Sequence, residues 1–153
     1  MLVPLLTCLV FYLLVFALSV WRPNAGRIFL GFFFLAMAWG VNGFFLLQDA
    51  SAYVPMGELM FIPEMGALFT RLVGAHPTFW VLMLIIWETT VGLLILSRGA
   101  RVKVGLTMGI IFLLGITPFN QATLANPVLA LVLQYLITKD FPQSIRSVRR
   151  AAA

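Results

Sequence analysis

An all-α, polytopic bundle of membrane helices is the fold class this sequence predicts, and three observations predict it. Hydrophobic residues make up 62% of the chain, against roughly 45 to 50% in soluble domains, and the mean hydropathy is +1.05. The apolar residues gather in five runs, at 2–21, 27–47, 79–96, 104–119 and 122–138, and a helix needs about 20 such residues to cross a hydrocarbon core about 30 Å thick. Ten basic residues against five acidic give a net charge of +5. Most of the basic residues stand at the ends of the runs, which points to topology and lipid headgroups and away from nucleic acid.

The first run has the length of a span. A cleaved signal peptide is the competing reading, since Ala17 and Ser19 resemble the small residues before a cleavage site. No basic stretch precedes the run, however, and cleavage would leave Arg22 and Arg27 outside, so a retained helix is expected. Cys8 within it reads as a small buried apolar residue. Arg22, Pro23, Asn24, Ala25 and Gly26 then make a tight basic turn.

In the second run phenylalanines supply bulk, while Gly31, Ala36, Gly40 and Gly43 offer places for a neighbouring helix to come close. Asn42 is its one strongly polar interior residue. From 48 to 78 the composition changes, with Asp49, Glu58, Glu64 and Arg71 and prolines at 55, 63 and 77. Met65, Leu68, Phe69, Leu72 and Val73 repeat at helical spacing, which predicts an amphipathic helix over 63–74, too short to span and lying in the membrane interface.

The third run, FWVLMLIIWETTVGLLIL, carries one carboxylate, Glu88, near its middle. A charge at that depth costs at least about 2.5 kcal/mol, so such residues face a bundle interior and find a partner. The fourth and fifth runs are short and are separated by Pro118, Asn120, Gln121, Asn126 and Pro127. Two tilted spans are expected there, with a re-entrant hairpin as the alternative. Five spans with the N terminus outside and the C terminus cytoplasmic put the turn at 22–27, the loop at 98–103 and the tail at 139–153 on the basic, cytoplasmic side.

One cysteine and one histidine exclude an intrachain disulfide, a CxxC pair, a Cys/His zinc cluster and a bis-histidine haem. Redox chemistry would therefore need a diffusible quinone or a partner's cofactor. Helix directions and side-chain tilt bring Asn42 and Glu88 together and carry Arg27 away from Glu88. Two readings of the pair stand side by side. One is an interhelical hydrogen bond that fixes packing, worth about 0.6 to 2 kcal/mol. The other is a quinone-binding or proton-handling carboxyl. Gln134, with Tyr135, is a further polar contact expected inside the bundle. Gly31, Gly40, Gly92 and the Gly105/Gly109 pair mark expected helix contacts. Asn120, Gln121 and Asn126 read as solvated loop, with a polar pocket lid as the alternative, and His76 reads as a solvated loop residue.

The stretches RIFLGFFFLAMAWGVNGFF (27–45) and WETTVGLLILSRGARVKVGL (87–106) resemble two signatures of DoxX-like membrane proteins: an arginine-led, phenylalanine-rich helix, then an acid, a glycine four residues on, an aliphatic run and a glycine and arginine turn. The resemblance implies a four-helix core over 27–138, with the helix at 1–21 an addition. The long segment at 49–77, and Asn42 and Gln48 where the family commonly has lysine or glutamine, are departures. The family is associated with membrane redox complexes, including thiosulfate to quinone oxidation. The expected function is a non-catalytic subunit or scaffold of a membrane complex that associates with other subunits or itself. The alternative is a redox component binding a quinone beside Glu88 and Asn42. Small-solute transport fits less well, because the spans hold few polar groups to line a pathway.

Overall fold

The computed structural model describes residues 2–143, whose regular structure is all helical, with no strand among them. Arg146, Arg149 and Arg150 of the basic tail lie outside the described residues. Helix α1 (Val3–Trp21) turns at Arg22 into α2 (Pro23–Ala36), which runs on through a π-helical stretch, Met37–Asn42, into α3 (Gly43–Gln48). A 3-10 segment (Ala50–Leu59) and α4 (Pro63–Ala75) form a hairpin before α5 (Pro77–Ile95) and α6 (Ala100–Gly115). Two short 3-10 turns, Thr117–Phe119 and Thr123–Ala125, lead into α7 (Asn126–Ile137). Prolines open α1, α2, α4, α5 and α7, where the missing N–H has no helical partner to lose.

Four helices are long and apolar enough to cross a membrane: Val3–Trp21, Pro23–Gln48, Pro77–Ile95 and Ala100–Phe119. The fifth run yields a shorter helix. The 12 residues of α7 extend about 18 Å at 1.5 Å per residue, because the residues before them are spent in the two 3-10 turns. Leu30 and Phe34 of α2, Val91 and Ile95 of α5, Leu106 of α6 and Leu133 of α7 meet in the main core. Val10, Leu14, Phe32, Ile86, Leu93, Ile111 and Leu131 are exposed around the outside. That inversion of soluble-protein patterning suits a lipid environment.

Close helix approach is set by glycine at particular crossings. A methyl on Gly92 would lie 2.8 Å from the Gly31 carbonyl oxygen, so α2 and α5 touch backbone to backbone there. Gly105 packs against Leu94 and Ile95, and Gly109 against Leu133 and Phe34. Gly40 is different from its sequence expectation. It is exposed with nothing within 4 Å of an added methyl, because the π-helical stretch turns it away from the bundle.

Arg27 ties one end of the bundle together. Fully buried, its guanidinium makes five hydrogen bonds: two to Asn24 Oδ1 and one each to the carbonyls of Ile95, Ser97 and Gln143. The Phe141 ring lies 4.8 Å from its central carbon. The carbonyls at the end of α5 have no intrahelical donors, and a cation there also suits the helix dipole. Gly99, at φ 61°, adopts a backbone conformation that side-chain-bearing residues avoid, and its N–H donates to the Phe141 carbonyl at 2.8 Å. The turn after α1, the turn after α5 and the chain after α7 thus converge on one end, opposite the α4 hairpin.

Candidate functional site

The site begins with the stripe Val81, Ile85, Glu88, Val91, Gly92 and Ile95, the buried face of α5. Its helical spacing turns Glu88 toward span two (Pro23–Gln48) and away from lipid, leaving it 3% exposed. Opposite it, the Gly43 N–H reaches back five residues to the Ala38 carbonyl. This wider π turn buries Asn42 and Gly43 side by side. Such turns within α-helices frequently accompany functional sites.

Asn42 Nδ2 donates to Glu88 Oε2 at 2.5 Å. Asn42 Oδ1 in turn accepts from the Tyr53 hydroxyl, so three side chains from three elements form one chain of hydrogen bonds. Tyr53 arrives by way of Asp49, whose carboxylate caps the 3-10 segment by accepting from the Ser51 N–H at 2.8 Å. The Tyr53 ring packs edge-on against Phe45, with centroids 5.4 Å apart. Burial first, and the nearby Glu88 carboxyl second, push the phenol up to about 12, so it remains a neutral donor at physiological pH.

This network borders a cavity of about 350 Å³. Span two contributes Met37, Val41 and Phe45, α5 contributes Val81 and Leu84, and α6 contributes Phe112, with Ile116 at its C-terminal cap. The hairpin roofs it with Met56 and with Phe69 and Val73 of α4, while Asn120 and Thr123 add polar groups at the α6–α7 connection. Neither α1 nor α7 lines it. The roof is fastened in three places: Trp80 Nε1 donates to the Leu72 carbonyl at 2.9 Å, the Phe61 N–H to the Pro118 carbonyl at 3.0 Å, and Phe69 meets Phe119 edge-on. The chemistry available is a carboxyl, an amide and a phenol at the wall of a mainly apolar, aromatic-rich chamber, with Asn120 and Thr123 at the α6–α7 connection.

Other residues singled out from the sequence lie elsewhere. Gln134 is exposed, because the buried face of α7 is set by Leu129, Ala130, Val132, Leu133 and Leu136, and position 134 falls on its outer side. It is therefore not an internal polar contact. Asn126, read as solvated loop, is 2% exposed: it donates to the Leu113 carbonyl at 3.2 Å and accepts from the Tyr12 hydroxyl at 3.1 Å. Asn120 borders the cavity, as the lid alternative required of it, and forms a reciprocal turn with Thr123. His76 is exposed between α4 and α5. Among the described residues no group of three or more His, Cys, Asp or Glu side chains is placed to hold a metal ion.

Sequence reasoning missed Tyr53 as a member of the network and Arg27 as the clasp of the opposite end. Asp49 two residues before Ser51 is a helix-start signal that brings Tyr53 back over span two. For Arg27 the only local signal was Asn24, three residues earlier on the same helix. No family model matches the chain, and neither the curated proteins nor the solved structures contain a match to it.

Proposed function

We propose that this protein binds a small lipophilic molecule with a planar, hydrogen-bonding head, of the quinone class, against Glu88, Asn42 and Tyr53. The observation that carries the reading is the joining of those three polar groups at the wall of a cavity of about 350 Å³ whose other walls are mainly apolar. Ligand sites combine mostly apolar walls with a few convergent polar groups in this way. The hydrogen bond from Asn42 engages Glu88 Oε2, which leaves Oε1 for a ligand. Phe45, Phe69, Phe112 and Phe119 supply faces and edges for a flat ring. The DoxX-like motifs at 27–45 and 87–106 support the same reading. In this proposal the chain crosses the bilayer five times, N terminus outside, and the short α7 is accommodated by local thinning.

The test is titration of the purified protein with a short-chain quinone, read by quenching of tryptophan fluorescence, since Trp80 borders the cavity. Saturable quenching that weakens in Glu88→Gln and in Asn42→Ala supports the site. Equal quenching in all three proteins, or none, overturns it.

The subunit or scaffold role is a second reading, favoured by Ala36 and Gly40, small residues one turn apart that are exposed on span two. Purification in mild detergent as a stable monomer, with no partner retained, argues against it.

A further inference from the structure

A second groove, separate from the cavity at Glu88, lies on the hairpin formed by the 3-10 segment and α4. Spans Pro23–Gln48 and Pro77–Ile95 end on either side of this hairpin, so it lies at one membrane surface. Its exposed Leu59, Phe61, Ile62, Leu68 and Leu72 set it at the boundary between headgroups and acyl chains. There a groove of about 540 Å³ is lined by Glu58, Thr70 and Arg71 together with Met60, Pro63 and Ala67. Its floor is tight backbone: a methyl on Gly57 would lie 2.7 Å from the Gly66 carbonyl oxygen.

The two charges are the informative feature. Glu58 and Arg71 line one groove yet do not pair with one another; the ion pair found among the described residues is Lys103 with Asp140, outside this hairpin. A groove lined by one anion and one cation that do not pair is complementary in charge to a ligand carrying both signs. At headgroup depth, above an apolar edge, we infer that this ligand is a zwitterionic phospholipid with a primary ammonium, phosphatidylethanolamine. Arg71 donates to the phosphate oxygens, as guanidinium groups do in paired fashion. Glu58 accepts from the ammonium, Thr70 adds a hydroxyl, and Met60, Pro63 and Ala67 cover the glycerol and upper chains. The site is separate from the cavity at Glu88 and does not depend on what that cavity binds.

Native mass spectrometry of the full chain in neutral detergent, loaded separately with phosphatidylethanolamine, phosphatidylcholine and phosphatidylglycerol, tests the assignment. The wild type is expected to retain phosphatidylethanolamine better than phosphatidylcholine, whose trimethylammonium has no N–H to donate. Glu58→Gln and Arg71→Gln, both at exposed positions that leave the fold intact, should each lower phosphatidylethanolamine retention about threefold to fivefold, the scale of an exposed charge pair. Phosphatidylglycerol, drawn to the basic end of the bundle, should be retained equally by wild type and Glu58→Gln. Equal phosphatidylethanolamine retention in wild type and Glu58→Gln overturns the proposal. So does displacement of the lipid by chainless glycerophosphoethanolamine at the same concentration, which would make the ligand water-soluble.

Discussion

Asn42 and Glu88 are the polar side chains through which span two and α5 are joined in the apolar interior, at 2.5 Å from Nδ2 to Oε2, and each is less than 5% exposed. The energetics of such a pair are asymmetric. Removing one partner strands the other at a cost of about 1 to 3 kcal/mol, whereas replacing both by apolar groups is close to neutral. Asn42→Leu should therefore destabilise the protein more than the double variant Asn42→Leu/Glu88→Leu. A double-mutant cycle on unfolding in mixed micelles should return a coupling of about 1 kcal/mol. Strict additivity would mean that the contact does not hold the two helices.

Tyr53→Phe keeps the ring against Phe45 and removes the hydroxyl that donates to Asn42. The expected loss is about 1 kcal/mol. Because the folded phenol is raised above the ordinary value of about 10, its stabilising contribution is complete below that pH and lost as pH rises through about 12. Alkaline absorbance titration of wild type minus Tyr53→Phe should show the Tyr53 step displaced upward. A step at the ordinary phenol value would remove Tyr53 from the network.

Gly92→Ala and Gly40→Ala should differ sharply. At Gly92 the new methyl meets the Gly31 carbonyl oxygen at 2.8 Å and Leu35 Cγ at 2.9 Å, and backbone cannot yield as a side-chain tip can. Overpacking of this kind costs about 1 to 3 kcal/mol. At Gly40 nothing lies within 4 Å, so the effect should be neutral or slightly stabilising through helix propensity. Thermal unfolding in detergent distinguishes them.

Arg27→Lys is not conservative here, because three ammonium donors on one centre cannot reproduce five hydrogen bonds spread over a planar fork. Arg27→Ala strands the carbonyls of Ile95 and Ser97 and should cost about 1 to 3 kcal/mol, the scale of a buried polar group left without its partner. Arg27→Lys should fall between it and wild type. Proteolysis after α7 should speed up in parallel, since the Gln143 carbonyl and the Phe141 ring lose their anchor.

The Asp49 cap gives the roof a pH dependence of its own. Hydrogen bonding to Ser51 holds its carboxyl below the usual value, so the cap is intact above about pH 4 and lost as pH falls through the lowered folded value. The protection factor of the Ser51 amide, its exchange measured against the intrinsic rate at each pH, should fall on acidification in wild type. In Asp49→Asn, which caps without titrating, it should not respond to acid.

Much of this molecule is written in local chemistry. Apolar runs bounded by arginine, prolines in first turns and the spacing of Met65, Leu68, Phe69, Leu72 and Val73 determine helices and their order, since each depends only on residues within a turn or two. The depth of Glu88 within its run marks it as a residue that must face inward, because lipid offers a carboxylate nothing. Helix direction and side-chain tilt name Asn42 as its neighbour; the tertiary structure decided what else shares that interior and how Asn42 is turned into it. The π turn at Met37–Asn42 changes which side of span two faces the bundle, burying Asn42 and turning Gly40 outward, and no residue pattern announces it. Tyr53 reaches Asn42 because a capped 3-10 segment folds back over the bundle. Gln134 faces outward because the α7 stripe is set by its neighbours. Arg27 and Asn126 are buried because carbonyls distant in sequence need donors there, at Ile95, Ser97 and Gln143 for one and Leu113 for the other. Hydrophobicity selects which residues leave water, and the partners of the polar groups that leave with them are fixed by packing between distant segments.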